Sequence, residues 1–465
     1  MKRFLSVLIS LVMLLSVFGI LPVSAASDFE IDNGILLSYN GTDKVVSIPE
    51  DVYFIADSAF SGNKSITTVK LNLVSSIGNM AFYGCSSLKS VTDSAYVTSC
   101  GAYAFEGTPF LKDNSDSTIV LGSALISCKE KGNVAIPDEV TSISPYSFKD
   151  NTSITSVALG DKVVELGEGA FYGCSSLSSV SVSDNLSYVG AFAFEGTPWL
   201  SAQTADYVVI GNDVLIDANI SEANLVIPEN VRYIAAGVFY QRTNLKTVSL
   251  PSELSGIGMR AFGGCTSLAS VSFPESLRFI DSEAFYGCKN LKTVTVPSTV
   301  TLLGDSVFLG CTGLSTVRYY SDADLSTGMF AGCSSLKSVM LSSDTRRIED
   351  YAFYGCSSLN EISVPDSVRL ISTTAFMDSN EITVYCNKSA YAYSRLDSLG
   401  ITVHQIGDAT LDTDVNVRDS TYIQKALVGL VSLNFSAELR SDVNFDGVVN
   451  VRDATQIQKM VAGLI

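Results

Sequence analysis

Apolar positions recur along this chain in one fixed order. A segment Leu-x-x-Val-x-apolar is followed, often after proline, by x-x-Val-x-x-Ile-Gly, and then by an Ala-Phe turn. The turn reads AFYGCSSLKSV from Ala81, AFYGCSSLSSV from Ala170, AFGGCTSLASV from Ala261, AFYGCKNLKTV from Ala284 and AFYGCSSLNEI from Ala352. Its phenylalanines are Phe60, Phe82, Phe105, Phe148, Phe171, Phe194, Phe239, Phe262, Phe285, Phe308, Phe330, Phe353 and Phe376. They lie 22 or 23 residues apart, except for two gaps of 43 and 45. A unit this short cannot bury its own apolar face, so copies must stack into a solenoid.

Ser267 to Gly304 shows two units in full. Leu291, Val294 and Val296 are expected as buried rungs of a parallel strand, with Lys292, Thr293 and Thr295 facing out. Pro297, lacking a ladder donor, should end that strand. Phe285 should plug the core from the opposite wall, and Gly287 should permit the tight turn beside it. Three further blocks, starting near Phe29, Thr118 and Tyr207, alternate as strands do, and the second and third fill the two long gaps. Asn33-Gly34 and Asn40-Gly41 mark a hairpin in the first, which should cap the amino end. Residues 382–406 read as a carboxy-terminal cap: a last strand from Ile382 to Tyr385, a helix from Ser389 to Leu399 and a closing strand from Ile401 to Ile406.

This pattern resembles the bacterial-surface-protein-A (BspA-like, Treponema-type) leucine-rich repeat over residues 28–406. The resemblance implies a β-rich solenoid with parallel strands on one face and short helical turns on the other. Members of that family are usually surface or secreted binding proteins rather than enzymes.

Residues 1–26 read as a signal peptide: Lys2 and Arg3, an apolar run from Phe4 to Leu21, then Val23-Ser24-Ala25. The run is long for a signal, which leaves an uncleaved anchor as the alternative. No later stretch is long and apolar enough to span a bilayer, and no sorting motif ends the chain. An exported, extracellular protein held in place by another partner is expected. The net charge of −18 argues against nucleic acid or an anionic membrane as that partner.

Ten cysteines in an exported chain suggest disulfides. Yet Cys85, Cys174, Cys265, Cys288, Cys311, Cys333 and Cys356 share one repeat position, where side chains run parallel rather than facing each other. Buried free thiols are the favoured reading. No Cys-x-x-Cys occurs, and His404 is the single histidine, so a zinc site and a Ser-His-Asp arrangement both lack their residues.

The tail, residues 407–465, is a tandem duplication with an offset of 34. Asp408, Thr410, Asp412, Asp414, Asn416 and Asp419 align with Asp442, Asn444, Asp446, Val448, Asn450 and Asp453. These are loop positions 1, 3, 5, 7, 9 and 12, the spacing by which a twelve-residue loop surrounds a hard cation with oxygens. Position 12 is Asp rather than Glu, and one helix is expected after each loop. That departure resembles a type I dockerin from end to end. The resemblance implies two calcium ions and docking onto a cohesin module of a cellulosome-type scaffoldin. It assigns the cohesin contact to Val417, Arg418, Gln424 and Lys425 and to their counterparts Val451, Arg452, Gln458 and Lys459. The duplication would let either half bind after a half-turn. Thr410 and Thr413, the latter where glycine is usual, lead us to expect weaker calcium binding in the first loop.

The chain therefore reads as a non-catalytic secreted subunit. Its solenoid would present a surface to a protein, a polysaccharide or the cell envelope, through Lys89, Lys246, Lys292, Arg318 and Lys337 on outward strand positions. These residues serve equally as solvated strand positions. Tyr83, Tyr172, Tyr286 and Tyr354 form a row suited either to sugar stacking or to turn packing. An adhesin for host or neighbouring cells is the alternative. An enzyme of polysaccharide breakdown is disfavoured, because repeats and cap leave no room for one.

Overall fold

The computed structural model describes residues 28–379, 382–412 and 414–464. The signal-peptide reading and Thr413 fall outside them. The chain divides into two compact units, one ending at Ile216 and the other beginning at Asp217.

The first unit opens with the expected hairpin. Phe29–Asp32 pairs antiparallel with Ile35–Tyr39. Asn33 and Gly34 both take positive φ, 49° and 81°, the turn whose twist suits a two-residue hairpin. The second block repeats the device, Thr118–Leu121 pairing antiparallel with Ala124–Cys128. Parallel ladders follow each: Val45–Ser47, Thr68–Lys70 and Ser90–Thr92, then Gly132–Ala135, Ile154–Ala158 and Ser179–Ser181.

In the second unit, Thr293–Val296, Thr316–Tyr319, Ser338–Leu341, Glu361–Ser363, Thr383–Cys386 and Thr402–Gln405 form one parallel sheet in chain order. The rung runs Val294, Val317, Val339, Ile362, Val384 and Val403. Leu291, Val294 and Val296 are buried while Lys292, Thr293 and Thr295 are exposed, as their alternation requires. The helix Tyr391–Ser398 connects the last two strands of this cap.

Most repeats also contribute a second, two-residue strand ahead of the Ala-Phe turn, such as Gly256–Ile257, Phe279–Ile280 and Leu302–Leu303, and the repeat of Phe330 makes only a single bridge there, Leu325 to Ile348. The expected short helical turns are single turns. Phe82 N donates to Ala104 O at 2.7 Å in the next repeat, while Cys85 N closes the turn onto Phe82 O at 3.1 Å. The residue two places after each phenylalanine sits in the left-handed region: glycine at most repeats, Asp150, Gln241 and Asp378 at the others. A left-handed residue there stops the helix after one turn. Before residue 380 only Pro109–Lys112 and Pro198–Ser201 extend to four-residue helices among the described residues, each after a threonine N-cap.

The phenylalanines stack as the pattern demands. Ring centroids are 4.7 Å apart for Phe60 and Phe82, 5.2 Å for Phe262 and Phe285, and 5.6 Å for Phe308 and Phe330. Each buried ring contributes roughly 1.5–3 kcal/mol by leaving water. Ring contacts add about 0.5–1.5 kcal/mol.

The cysteines are free and buried. Each of the seven repeat-position thiols donates to the carbonyl of the phenylalanine one repeat earlier, as Cys85 does to Phe60 O at 3.0 Å and Cys311 to Phe285 O at 3.2 Å. In the last repeat Ser379 takes the same role on Phe353 O, at 2.7 Å. The repeat after each hairpin block needs a longer donor here. Asn63 reaches Gly41 O, Asn151 reaches Glu130 O, and Arg242 reaches Ala218 O and Ile220 O. Burial pushes the thiols up, to about 11 for Cys85 and about 12 for Cys356. Such thiols are neither nucleophiles nor metal ligands at neutral pH.

Candidate functional site

In the tail, the helices Val417–Leu427 and Val451–Val461 pack against each other, with Ile423, Ala454 and Ile457 buried between them. Both start in the same way. Asn416 and Asn450 cap them, each accepting from the backbone N two residues on, Arg418 and Arg452, at 2.8 Å. Asp419 Oδ2 and Asp453 Oδ2 answer by accepting from the backbone of Asn416 and Asn450, both at 2.9 Å. Position 12 of each loop is therefore also the third helical residue of a capping box.

The first loop gathers Asp408, Asp412 and Asp419 so that one carboxylate oxygen from each lies within 4.8 Å of the others. Thr410 turns inward too, its hydroxyl donating to Asp419 Oδ1 at 2.8 Å. In the second loop Asp442 Oδ2 accepts from Gly447 N at 2.9 Å, and Asn444 Nδ2 donates to Asp446 Oδ2 at 3.0 Å. Burial, and then the neighbouring Asp453 carboxylate, push Asp442 up to about 7. Asp453 is raised as well, again chiefly by burial. Carboxylates crowded and desolvated in this way fit a divalent cation bound by oxygen. The position-7 carbonyls of Asp414 and Val448 accept from Asn416 Nδ2 and Asn450 Nδ2 at 3.0 and 2.8 Å. The first loop was expected to be the poorer one. It has three carboxylates close enough for one ion, and its position 6 lies outside the described residues.

Between the halves lies a third helix, Phe435–Ser441, which the sequence reading missed. Its signals were present: Asn434 as N-cap, accepting from Ala437 N at 2.8 Å, and Phe435 with Leu439 four places on. This helix seats the tail on the solenoid's outward strand positions. Arg318 Nη2 meets Glu438 Oε2 at 2.7 Å, and its guanidinium carbon lies 4.6 Å from the Phe435 ring centre. Ser436 donates to Glu361 Oε2 at 2.8 Å. Arg440, 4% exposed, lies with Nη1 3.5 Å from Glu361 Oε2 and with its guanidinium 5.8 Å from the Tyr385 ring centre. Met340, Tyr385, Ile406, Leu439, Val443, Phe445 and Ile457 share one apolar cluster beneath these pairs. Arg318, taken from sequence as a ligand-facing residue, is thus engaged by the tail.

The BspA type leucine rich repeat region matches residues 39–118, 114–221, 208–334 and 323–394 of this sequence. The chain belongs to this BspA-type leucine-rich repeat family. No curated protein matches it. Among solved structures, a leucine rich cell surface protein from Faecalibacterium prausnitzii is 23% identical, over 79% of this chain and 94% of its own, with a TM-score of 0.32. A leucine-rich repeat protein from Bacteroides ovatus is 22% identical over 82% of this chain and 100% of its own, with a TM-score of 0.35. The pneumococcal vaccine antigen PcpA is 16% identical over 80% and 95%, with a TM-score of 0.32. Neither the family description nor these names carries a catalytic activity.

On this BspA-type solenoid, Lys89, Lys246, Lys292 and Lys337 remain exposed. Tyr83, Tyr172, Tyr286 and Tyr354 are 37–45% exposed on the turns. Among the tail residues assigned to cohesin, Val417, Arg418, Gln424, Lys425, Val451, Arg452, Gln458 and Lys459 are all exposed. The two halves are not equivalent in their surroundings. Phe445 is buried, whereas Leu411, its counterpart with the same left-handed backbone, is 59% exposed. Lys459 and Met460 line a cleft with Asp366 and Asn387 of the solenoid, and their first-half counterparts do not. Among the described residues no helix is long and apolar enough to cross a membrane.

Proposed function

We propose that this chain is a non-catalytic, exported binding subunit, attached through its tail and presenting its solenoid to a ligand. The tail acts as a type I dockerin: each loop takes one calcium ion, and the exposed helix faces dock onto a cohesin module of a scaffoldin. Asp408, Thr410, Asp412, Asp414, Asn416 and Asp419 would hold the first ion, and Asp442, Asn444, Asp446, Val448, Asn450 and Asp453 the second. Bound calcium supplies charge that offsets the crowded carboxylates. The observation carrying this reading is the gathering of Asp408, Asp412 and Asp419 oxygens within 4.8 Å in a loop that is present twice. The solenoid binds protein or glycan through the outward strand positions that the tail leaves open.

The deciding experiment is capture of the full chain by a panel of type I cohesins, in calcium and in chelator. Calcium-dependent capture is expected. Failure with every cohesin, or equal capture in chelator, would overturn the dockerin reading. Arrays of glycans and surface proteins then separate a polysaccharide ligand from the adhesin alternative.

A further inference from the structure

We propose that the solenoid's strand face holds the backbone of both tail loops, so that calcium uptake and tail docking strengthen each other. The inference rests on the calcium reading above. Two contacts reach the second loop from the solenoid, and the first loop is reached through the tail's own Arg440. Tyr320 donates its hydroxyl to Gly447 O at 3.3 Å, and Ser343 N donates to Phe445 O at 3.1 Å, both in the second loop. Arg440 Nε donates to Asp408 O at 3.1 Å, at the first position of the first loop. Arg440 is itself fixed from the solenoid side by Glu361 and, within its own helix, by Ser436 Oγ at 2.5 Å. One buried guanidinium thus ties the first loop to the strand face.

The fit at the second loop is close. Gly447 has φ +82°, and a Cβ placed on it would lie 2.4 Å from the Tyr320 ring. The loop backbone and the tyrosine ring therefore occupy complementary space. A loop fixed before the ion arrives loses less conformational freedom on binding. Linkage makes the effect reciprocal: whatever docking adds to calcium affinity, calcium adds to docking. Tyr320, Ser343 and Arg440 are positioning residues in this scheme, since they act through the loop backbone.

The test uses the full chain and calcium alone as probe. Calorimetric titrations compare the native sequence with Tyr320→Phe, which removes one hydroxyl, and with Glu361→Gln, which removes the counter-charge of Arg440. About a fivefold loss of calcium affinity is expected in each variant, the low end of measured couplings. The calcium-induced rise in melting temperature should shrink in both. Calcium should slow amide exchange in Ser338–Leu341 and Glu361–Ser363 of the native sequence, and less so in the variants. A purely structural role would lower the melting temperature equally with and without calcium, and that result would overturn the coupling. Equal affinities in all three proteins would overturn the coupling alone. A native chain that takes up no calcium would overturn the calcium reading together with it.

Discussion

The guanidinium of Arg440 stands 3.5 Å from the carboxylate of Glu361, with Arg440 4% and Glu361 15% exposed as side chains. The two residues belong to different halves of the proposed function, one to the tail and one to the repeats. Removing one member of such a pair strands the other charge in a poorly solvated place. Arg440→Ala should therefore cost about 2–3 kcal/mol and free the tail helix Phe435–Ser441 from the sheet. Limited proteolysis after residue 427 would show faster cleavage in the variant. Arg418→Ala, at an 80% exposed side chain, should leave stability unchanged.

Gly447→Ala carries two separate penalties. Its backbone lies at φ +82°, and the new methyl would meet the Tyr320 ring. Adding Tyr320→Ala should relieve the second penalty but leave the backbone strain, of order 1 kcal/mol. A thermal melt of the two single variants and the double variant reads this out. Full additivity of the three would show that ring and glycine do not touch in solution.

Asp442 gives the metal-free tail a specific pH dependence. Its folded value, about 7, lies above the unfolded carboxylate range near 4. The folded state therefore binds more protons between those values. The sign follows: the contribution is fully present below pH 4 and is lost as pH rises toward 7. In chelator the tail should be more stable at pH 5 than at pH 7.5 by helix signal on heating. Asp442→Asn should flatten that slope, and a stability that instead increases with pH would contradict it.

The ten free thiols offer a chemical test. A thiol reagent should label almost none of them in the native protein and all of them in guanidinium. Reductant should leave the melting temperature unchanged. A melting temperature that falls in reductant would reveal bridges.

Phe308 lies inside the ring stack, between Phe285 and Phe330 at 5.6 Å on either side. Phe308→Ala should cost about 3–5 kcal/mol, since neither neighbouring repeat can collapse into the space. Denaturant unfolding of the chain would measure it. A loss under 1 kcal/mol would mean that the rings do not carry the core.

The solenoid was legible because every repeat solves the same burial problem locally. Val294, Val317 and Val339 lie at one register position, so their alternation with Thr293, Thr316 and Ser338 writes the strand directly into the chain. The stacked phenylalanines and the duplicated tail loops were readable for the same reason, since a period survives in one dimension, and the hairpin was readable from its Asn33-Gly34 turn. The turns were expected as short helical turns, but Ala-Phe-Tyr-Gly-Cys says nothing by itself about the hydrogen bonds that neighbouring repeats exchange.

What the tertiary structure decided has no period. Arg318 and Glu438 are 120 residues apart, and on an outward strand position an arginine looks like any solvated charge until a partner covers it. The same holds for Glu361 with Arg440 and for Tyr320 with Gly447. The cysteine, serine, asparagine and arginine donors after the phenylalanines share a position but reach different carbonyls, because their partners lie one repeat or one hairpin away. Sequence by itself determined the repeating unit, its buried face and the two loops, all of which are fixed by contacts within a unit or with its copy. Folding alone determined which outward residues the tail covers, because single long-range pairs between unlike segments leave no pattern along the chain.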